Sequence, residues 1–250
     1  MRYLSIIFIG LLLSSCMSTQ NRYAEHEIRL FGLGWDTFAL VEDGTVIFYN
    51  IGNGWERLDE RRDFTLPTDY DKVVLFDLVH LGVIADNNLR FFGYTHQTRW
   101  REWENRALIL PQGYKNVIGL NRHSLGVIVG NTLIYYRYVQ PWMERLSREF
   151  TLPEGFVSVV GLEPQRFDRS SIGIIVGNKL KHYIFHENAW HKMEDMTFIL
   201  PENFSSVIGF SWGRIGVVVD NILRYYEFSD FQGRSGWFEN QWYEFNLNRF

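Results

Sequence analysis

The chain has 250 residues, 46% of them hydrophobic and 17% aromatic, and 25 Lys and Arg against 29 Asp and Glu give it a formal charge of −4. The apolar share supplies a packed core, and the interspersed charge signs leave no basic tract that could follow a phosphate backbone, so nucleic acid is not an expected partner. Abundant aromatic residues together with many Val and Ile favour strands over helices.

The first fifteen residues differ in kind from the rest. Arg2 gives a short positive start, Leu4 to Leu13 an apolar run, and Ser14–Ser15 a small-residue exit. That is the pattern of a secretory signal, too short to be read as a spanning helix. The only cysteine, Cys16, follows at once. Leu13–Ser14–Ser15–Cys16 resembles the lipobox of bacterial lipoproteins, in which the cysteine is acylated and becomes the mature N-terminus. The resemblance covers the leader alone. It implies a signal peptide over residues 1–15, a lipidated tether over 16–23, and lipidation at Cys16 that anchors the chain to a membrane, each buried methylene contributing about 0.8 kcal/mol. Met17, where an aspartate would signal retention, implies delivery to the outer membrane of a bacterial envelope. No second cysteine exists for a disulfide, so stability has to come from packing.

Beyond residue 24 the chain repeats itself five times with a unit of about 45 residues, within the range of repeat architectures. Each unit opens on a continuous apolar run: Ile28–Leu33, Val73–Leu78, Asn116–Leu120, Ser158–Leu162 and Ser206–Phe210. Short runs without alternation suit strands buried on both faces. A segment like GVIVG follows, as at Gly126–Gly130. A pair such as Asp43–Gly44, Asp86–Asn87, Gly130–Asn131, Gly177–Asn178 or Asp220–Asn221 then predicts a tight antiparallel turn. The third strand carries an aromatic pair (Phe48–Tyr49, Phe91–Phe92, Tyr135–Tyr136, Tyr225–Tyr226), with His182–Tyr183 as the odd one. The fourth part starts at Trp55, Trp100, Trp142, Trp190 or Trp237 and runs to a leucine that proline follows in the first four units (Leu66–Pro67, Leu110–Pro111, Leu152–Pro153, Leu200–Pro201), where the missing donor ends the strand. It holds most of the charge, which suits a solvated outer edge.

Four strands per unit and five units predict an all-β chain folded as a single five-bladed β-propeller over residues 24–250, with the apolar first strands nearest the axis. An open β-solenoid or two packed sheets is the alternative. The repeat resembles the five-bladed tachylectin-like lectins in count, unit length and the strand–turn–strand–Trp pattern, which implies at most that a sugar is a plausible ligand.

Motifs for catalysis are missing: there is no Gly-rich phosphate loop, zinc-ligand spacing or nucleophile elbow, and no cofactor or metal is expected. His182, His186 and His191 crowd the fourth unit, but they read as one packed and two surface histidines. The five tryptophans either stack on sugars or pack between blades, and packing is the better reading because no polar residue beyond the turn Asp and Asn repeats with them. Function is therefore expected where the repeats disagree. Strand alternation puts the first-to-second and third-to-fourth loops on one face, and the candidate binding residues there are Trp35, Asp36, His80, Arg122, His123, Arg166, Asp168, Trp212 and Arg214. Trp35 and Trp212 occupy equivalent slots and form either a recognition patch or a cap at the seam where the ring closes. These features predict a lipid-anchored, non-catalytic binding or scaffold module of the envelope, its partner an envelope or host protein or a glycan. The alternatives are a lectin with several like sites and a propeller hydrolase using Asp168, Glu163 or Asp77.

Overall fold

The five predicted units form five separate antiparallel sheets, seen in a computed structural model that describes residues 29–34, 36–51, 54–145, 148–162, 170–231 and 234–249. Cys16, Glu163, Trp35, Arg166 and Asp168 lie outside the described residues. The fold is the expected five-bladed β-propeller. Blade 1 holds Arg29–Gly32, Thr37–Glu42, Thr45–Ile51 and Trp55–Arg57; blade 2 holds Lys72–Asp77, His80–Ala85, Asn88–Thr95 and Arg99–Glu102. Tyr114–Asn121, Ser124–Val129, Thr132–Tyr138 and Trp142–Glu144 make blade 3, while Phe156–Leu162, Ser170–Val176, Lys179–His186 and Ala189–Ile199 make blade 4. Blade 5 consists of Phe204–Ser211, Arg214–Val219, Ile222–Phe231 and Arg234–Asn246. Within each blade the strands pair in chain order from the inside outwards.

The outer strand is less regular than the repeat suggests. In blades 1 to 3 it breaks into two pieces that both pair with the third strand, the second pieces being Phe64–Thr65, Leu108–Ile109 and Phe150–Thr151. In blade 1 the break is a 3₁₀ turn, Glu60–Arg62, held by Asp59, whose carboxylate accepts from the Arg61 N–H at 2.9 Å. Such breaks leave no long flat edge for another chain to pair with.

The repeated motifs turn out to be joints. Asp43, Asp86, Asn87, Asp220 and Asn221 all have positive φ, as the tight turns require. The carbonyl of the second turn residue then accepts from the N–H of the leucine that ends the outer strand: Leu66 to Gly44, Leu110 to Asn87, Leu152 to Asn131, Leu200 to Asn178 and Leu247 to Asn221, at 2.7–2.9 Å. Each of these leucines is buried. The motif therefore ties the outermost strand of a blade back to its own inner hairpin.

The five tryptophans are joints of a second kind, between blades. Each indole Nε1 donates to a backbone carbonyl in the outer segment of the preceding blade: Trp100 to Arg62 (2.6 Å), Trp142 to Arg106 (2.6 Å), Trp190 to Arg148 (2.9 Å) and Trp237 to Met196 (3.1 Å). Trp55 completes the circle by donating to Tyr243 at 3.0 Å. The packing reading of these residues is thus the correct one.

Each of the five seams has its own apolar cluster contributed by the two flanking blades. Between blades 5 and 1 the cluster joins Phe38, Leu40 and Tyr49 to Phe210, Val218, Tyr225 and Leu247. Among the described residues no strand is exchanged there: Arg29–Gly32 is the innermost strand of blade 1 and Arg234–Asn246 the outermost of blade 5. At the axis the innermost strands enclose a channel of about 170 Å³ lined by Val73, Val117, Ile118, Val160 and Val207 among others. Only part of the expected two-sided burial of these strands is therefore realised. Blade 2 buries Val73–Phe76, whereas Arg29–Gly32 is half-buried throughout.

Candidate binding face

The loops from first to second strand and from third to fourth strand do share one face. Backbone hydrogen bonds join them in four blades, Ile51 to Asp36, Tyr94 to Val79, Tyr138 to His123 and Phe228 to Gly213, at 2.7–2.8 Å. The candidate residues on this face fall into separate seams.

At the closure seam Arg214 opens the second strand of blade 5. Its guanidinium holds Glu227 of the third strand at 2.8 and 3.0 Å and reaches Asp36 of blade 1 at 3.4 Å. Trp212 does not join them. It is half-buried rather than exposed and turns into the seam between blades 4 and 5, its ring centroid 6.3 Å from that of His182.

His182 stands in the slot that Phe48, Phe91, Tyr135 and Tyr225 fill elsewhere. It is 1% exposed, and its Nε2 lies 2.5 Å from Ser171 Oγ, while its Nδ1 and the Trp212 Nε1 are buried without a hydrogen-bond partner. Burial pushes the His182 imidazole down from its ordinary 6.5 to about 4. Between those values the unfolded chain takes up a proton that the native protein refuses, so stability falls as pH drops through this window and levels off below it. The loss amounts to about 3 kcal/mol. Urea midpoints measured from pH 7.5 down to pH 4 are expected to show this slope in the native sequence and to lose it in His182→Phe; an identical slope in both would place the titrating group elsewhere.

The seam between blades 2 and 3 gathers most of the remaining candidates. Asp77 accepts from the Val79 N–H and from His80 Nδ1, both at 2.9 Å, which fixes the His80 ring against Phe91 and Trp103. Asn121 makes the equivalent turn in blade 3, accepting from the His123 N–H at 2.9 Å. Arg106 lies between the two blades, its guanidinium carbon 4.3 Å from the centroid of Tyr138, 4.5 Å from that of Trp103 and 5.0 Å from that of Phe91. One edge of it donates to the Arg122 carbonyl at 3.4 Å. Burial, then the charges of Arg122, Arg106, His80 and Arg137, hold the His123 imidazole below its ordinary range.

Sequence reasoning missed Arg106 and Trp103, although both leave a signal. Arg62, Arg106 and Arg148 each stand four residues before the leucine of Leu-Pro, and each caps an aromatic ring of the next blade: Tyr94, Tyr138 and Phe185. Trp103 has room only because residue 93 is glycine, where a Cβ would sit 2.6 Å from the indole.

A second feature lies on the outer rim between blades 1 and 2, running from the Arg99 end of the loop face towards Phe64–Thr65, which pair with Val46 and Thr45 beside the opposite turn. An open recess of about 450 Å³ is lined by Glu60, Arg61, Asp63, Phe64, Thr65, Arg99 and Trp100. Asp63 is held by Arg57 at 2.5 Å, and Arg99 donates to the Arg61 carbonyl at 3.4 Å.

The sequence matches no protein-family profile, and no curated protein matches it. Among solved structures, AofleA from Arthrobotrys oligospora is similar with a TM-score of 0.55 at 12% identity, over 85% of this chain and 72% of that one. A lectin from Aleuria aurantia in complex with α-methyl-L-fucoside gives 0.51 at 12% identity, over 85% and 79%. The fucose-specific lectin from the same organism, as a mercury derivative, gives 0.51 at 13%, over 86% and 78%. At these identities the likeness is one of fold: the chain shares the propeller scaffold of lectins.

Proposed function

We propose that this chain is a non-catalytic glycan-binding module, anchored to a bacterial envelope through a lipid on Cys16, and that it holds its ligand at the outer rim between blades 1 and 2. The observation that carries the reading is the rim recess. There carboxylates (Glu60, Asp63) and guanidinium groups (Arg61, Arg99) line an open recess beside the half-buried Trp100, whose ring is itself stacked on Phe48, so the hydrogen-bonding groups are what a sugar would engage. The fucose-binding lectins of Aleuria aurantia, whose fold this chain resembles, support the same ligand class.

The sites are expected to be unequal, because the other repeats do not reproduce the recess chemistry. Alkyne–fatty-acid labelling of cells should mark the full chain and not Cys16→Ala. The soluble domain from residue 24 should bind a subset of a glycan array with fewer than five sites per chain by calorimetry, and Arg99→Ala should weaken that binding. Five equivalent sites, or a bound glycan indifferent to Arg99, would refute the assignment to this recess.

A further inference from the structure

We propose that the face opposite the loops, which carries the tight turns, rests on a lipid bilayer over blades 3 and 4. There Val157 and Ile199 enter between lipid headgroups while Lys115 and Lys179 meet their phosphates. The inference rests on the proposed lipid anchor at Cys16 for nearness to a membrane, and on this sector of the turn face for its chemistry.

The first observation is where the chain enters the fold. Arg29 pairs with Val41, two residues before the Asp43–Gly44 turn, so the chain passes into blade 1 on the turn face. Only the twelve residues 17–28 separate Arg29 from Cys16, a span of at most about 45 Å. An anchor so close holds this face near the bilayer at an effective concentration on the order of millimolar. Contacts too weak to recruit a free protein are then sufficient to seat an anchored one.

The second observation is a row of side chains at one level of that face. In blade 4 the register runs from Phe156 to Val176, from Val176 to Lys179 and from Lys179 to Ile199, innermost strand to outermost. Val157 stands in the bulge beside Phe156 and is 68% exposed, and Ile199 is 57% exposed. Lys115 occupies the same bulge in blade 3, between Tyr114 and Asn116, and with Val157 it lines an open recess of about 530 Å³. Ile109, 82% exposed, repeats the Ile199 slot on blade 2, where it pairs with Asn88 just after the turn. These are the three most exposed large hydrophobic residues among those described; Val139, less exposed, lies on the loop face. Apolar residues spaced in this way do not make a patch for a protein partner. A bilayer is a plane, however, and asks of them a common level rather than mutual contact.

The third observation is charge. The first turn residue is Asp43, Asp86 and Asp220 in blades 1, 2 and 5, but Gly130 and Gly177 in blades 3 and 4. Acid therefore stands on the far side of the face, where it repels phosphates. Around the apolar row the exposed Lys115 and Lys179 balance Glu154 and Glu202 of the links that bound blade 4. A lysine stem laid on apolar surface with its ammonium among phosphates is the arrangement of interfacial segments. Leaning on blades 3 and 4 keeps the acidic turns clear of the headgroups and lifts the rim between blades 1 and 2 away from the bilayer.

The test uses the full chain, purified with its acyl groups and reconstituted in vesicles of phosphatidylethanolamine and phosphatidylglycerol. Once Cys16 is acylated no other thiol remains, so Val157→Cys, Ile199→Cys and the loop-face control Val139→Cys each carry a single fluorophore. All three positions are exposed, so the substitutions leave the fold in place. Labels at residues 157 and 199 are expected to be quenched by a lipid-borne nitroxide and shielded from iodide, and the label at residue 139 to show the reverse. Ile199→Asp should lower the docked-to-free ratio read at residue 157 by about tenfold. Lys115→Gln with Lys179→Gln should lower it at low salt and less at high salt. Iodide reaching residues 157 and 199 as freely as residue 139 overturns the proposal. Labels shielded from iodide yet untouched by the lipid quencher also overturn it, since a second copy of the chain would then cover the row. The mass of the N-terminal peptide reads the acyl group separately. An acylated Cys16 with water-exposed residues 157 and 199 sinks this inference and spares the anchor, whereas an unacylated Cys16 sinks the anchor and this inference with it.

Discussion

Gly209→Ala is expected to leave little folded protein. A Cβ at residue 209 would lie 2.0 Å from the Gly161 carbonyl oxygen and 2.6 Å from Leu162 Cδ2, distances no real Cβ adopts. The same contact runs round the axis: a Cβ at Gly32 would meet the Gly209 oxygen at 2.0 Å, at Gly161 the Gly119 oxygen at 2.1 Å, and at Gly119 the Leu75 oxygen at 1.9 Å. The carbonyls cannot swing aside, because the strands that hold them are fixed in sheets of their own. Gly161, for instance, pairs with Ile172. Relief requires the innermost strands to part, and in a closed ring that strain spreads to every seam. Overpacking a core costs about 1–3 kcal/mol when side chains can yield, and rigid backbone puts this case above that range, against a total stability of about 5–15 kcal/mol. Gly126→Ala is the matched control. Its Cβ would meet Leu133 Cδ1 at 2.6 Å and Ile118 Cγ1 at 3.1 Å, both of them side-chain atoms with some freedom to move. Urea denaturation should show a modest loss for Gly126→Ala and a collapse for Gly209→Ala. Equal midpoints would mean that the blades do not meet backbone to backbone at the axis.

Blade 2 shows what the alternative to glycine looks like. Leu75 pairs with Leu81 as Gly119 pairs with Leu125 and Gly209 with Ile215, so it fills the glycine slot. Its side chain joins the cluster between blades 1 and 2. That seam is accordingly packed by side chains at a level where its neighbours are packed by backbone.

How much of this was legible depended on the distance between partners. The tight turns, the Leu-Pro closures and the inside-to-outside strand order all arise from residues within one unit, so their spacing announces them. The tryptophans announce themselves as repeats but not as donors, because each acceptor lies a whole unit away, and for Trp55 and Tyr243 the separation is 188 positions. The loop face followed from strand alternation, which brought His80, Arg122 and His123 to one side. Their common seam did not follow, since it depends on Arg106, a residue that reads as one more charge on an outer edge. Trp212 shows the opposite failure. Its slot suggested a partner of Trp35 across the closure seam, but the buried His182 gives it a ring to pack against on the other side. The breaks in the outer strands were hidden because a few extra residues among charges carry no periodic signal to lose.

Trp55→Ala is expected to do more than weaken the protein: it should open the ring. Trp55 lies edge-on to Phe38 at 4.8 Å, stacks on Phe210 at 5.8 Å and bonds the Tyr243 carbonyl. Truncating such a residue costs about 3–5 kcal/mol. Trp142→Ala removes the equivalent staple between blades 2 and 3 and should cost a similar amount by equilibrium denaturation. The two differ in what holds the blades once the staple is gone. Blades 2 and 3 remain joined by the chain through Pro111, so the seam can re-form at the low entropic cost of closing a short loop. Among the described residues blades 5 and 1 share no connecting segment and no exchanged strand, so their separation exposes Phe38, Phe210 and Tyr225 with no short loop to bring them back. Hydrogen exchange should therefore accelerate in blades 1 and 5 of Trp55→Ala, and dimers joined through the opened seam should accumulate. Cyclising the domain from residue 249 to residue 29 through a segment copied from Pro67–Asp71, the link between blades 1 and 2, should rescue Trp55→Ala strongly and Trp142→Ala little. Equal rescue of both would show that the closure seam is no weaker than the others, and that packing alone closes this ring as firmly as a shared strand would.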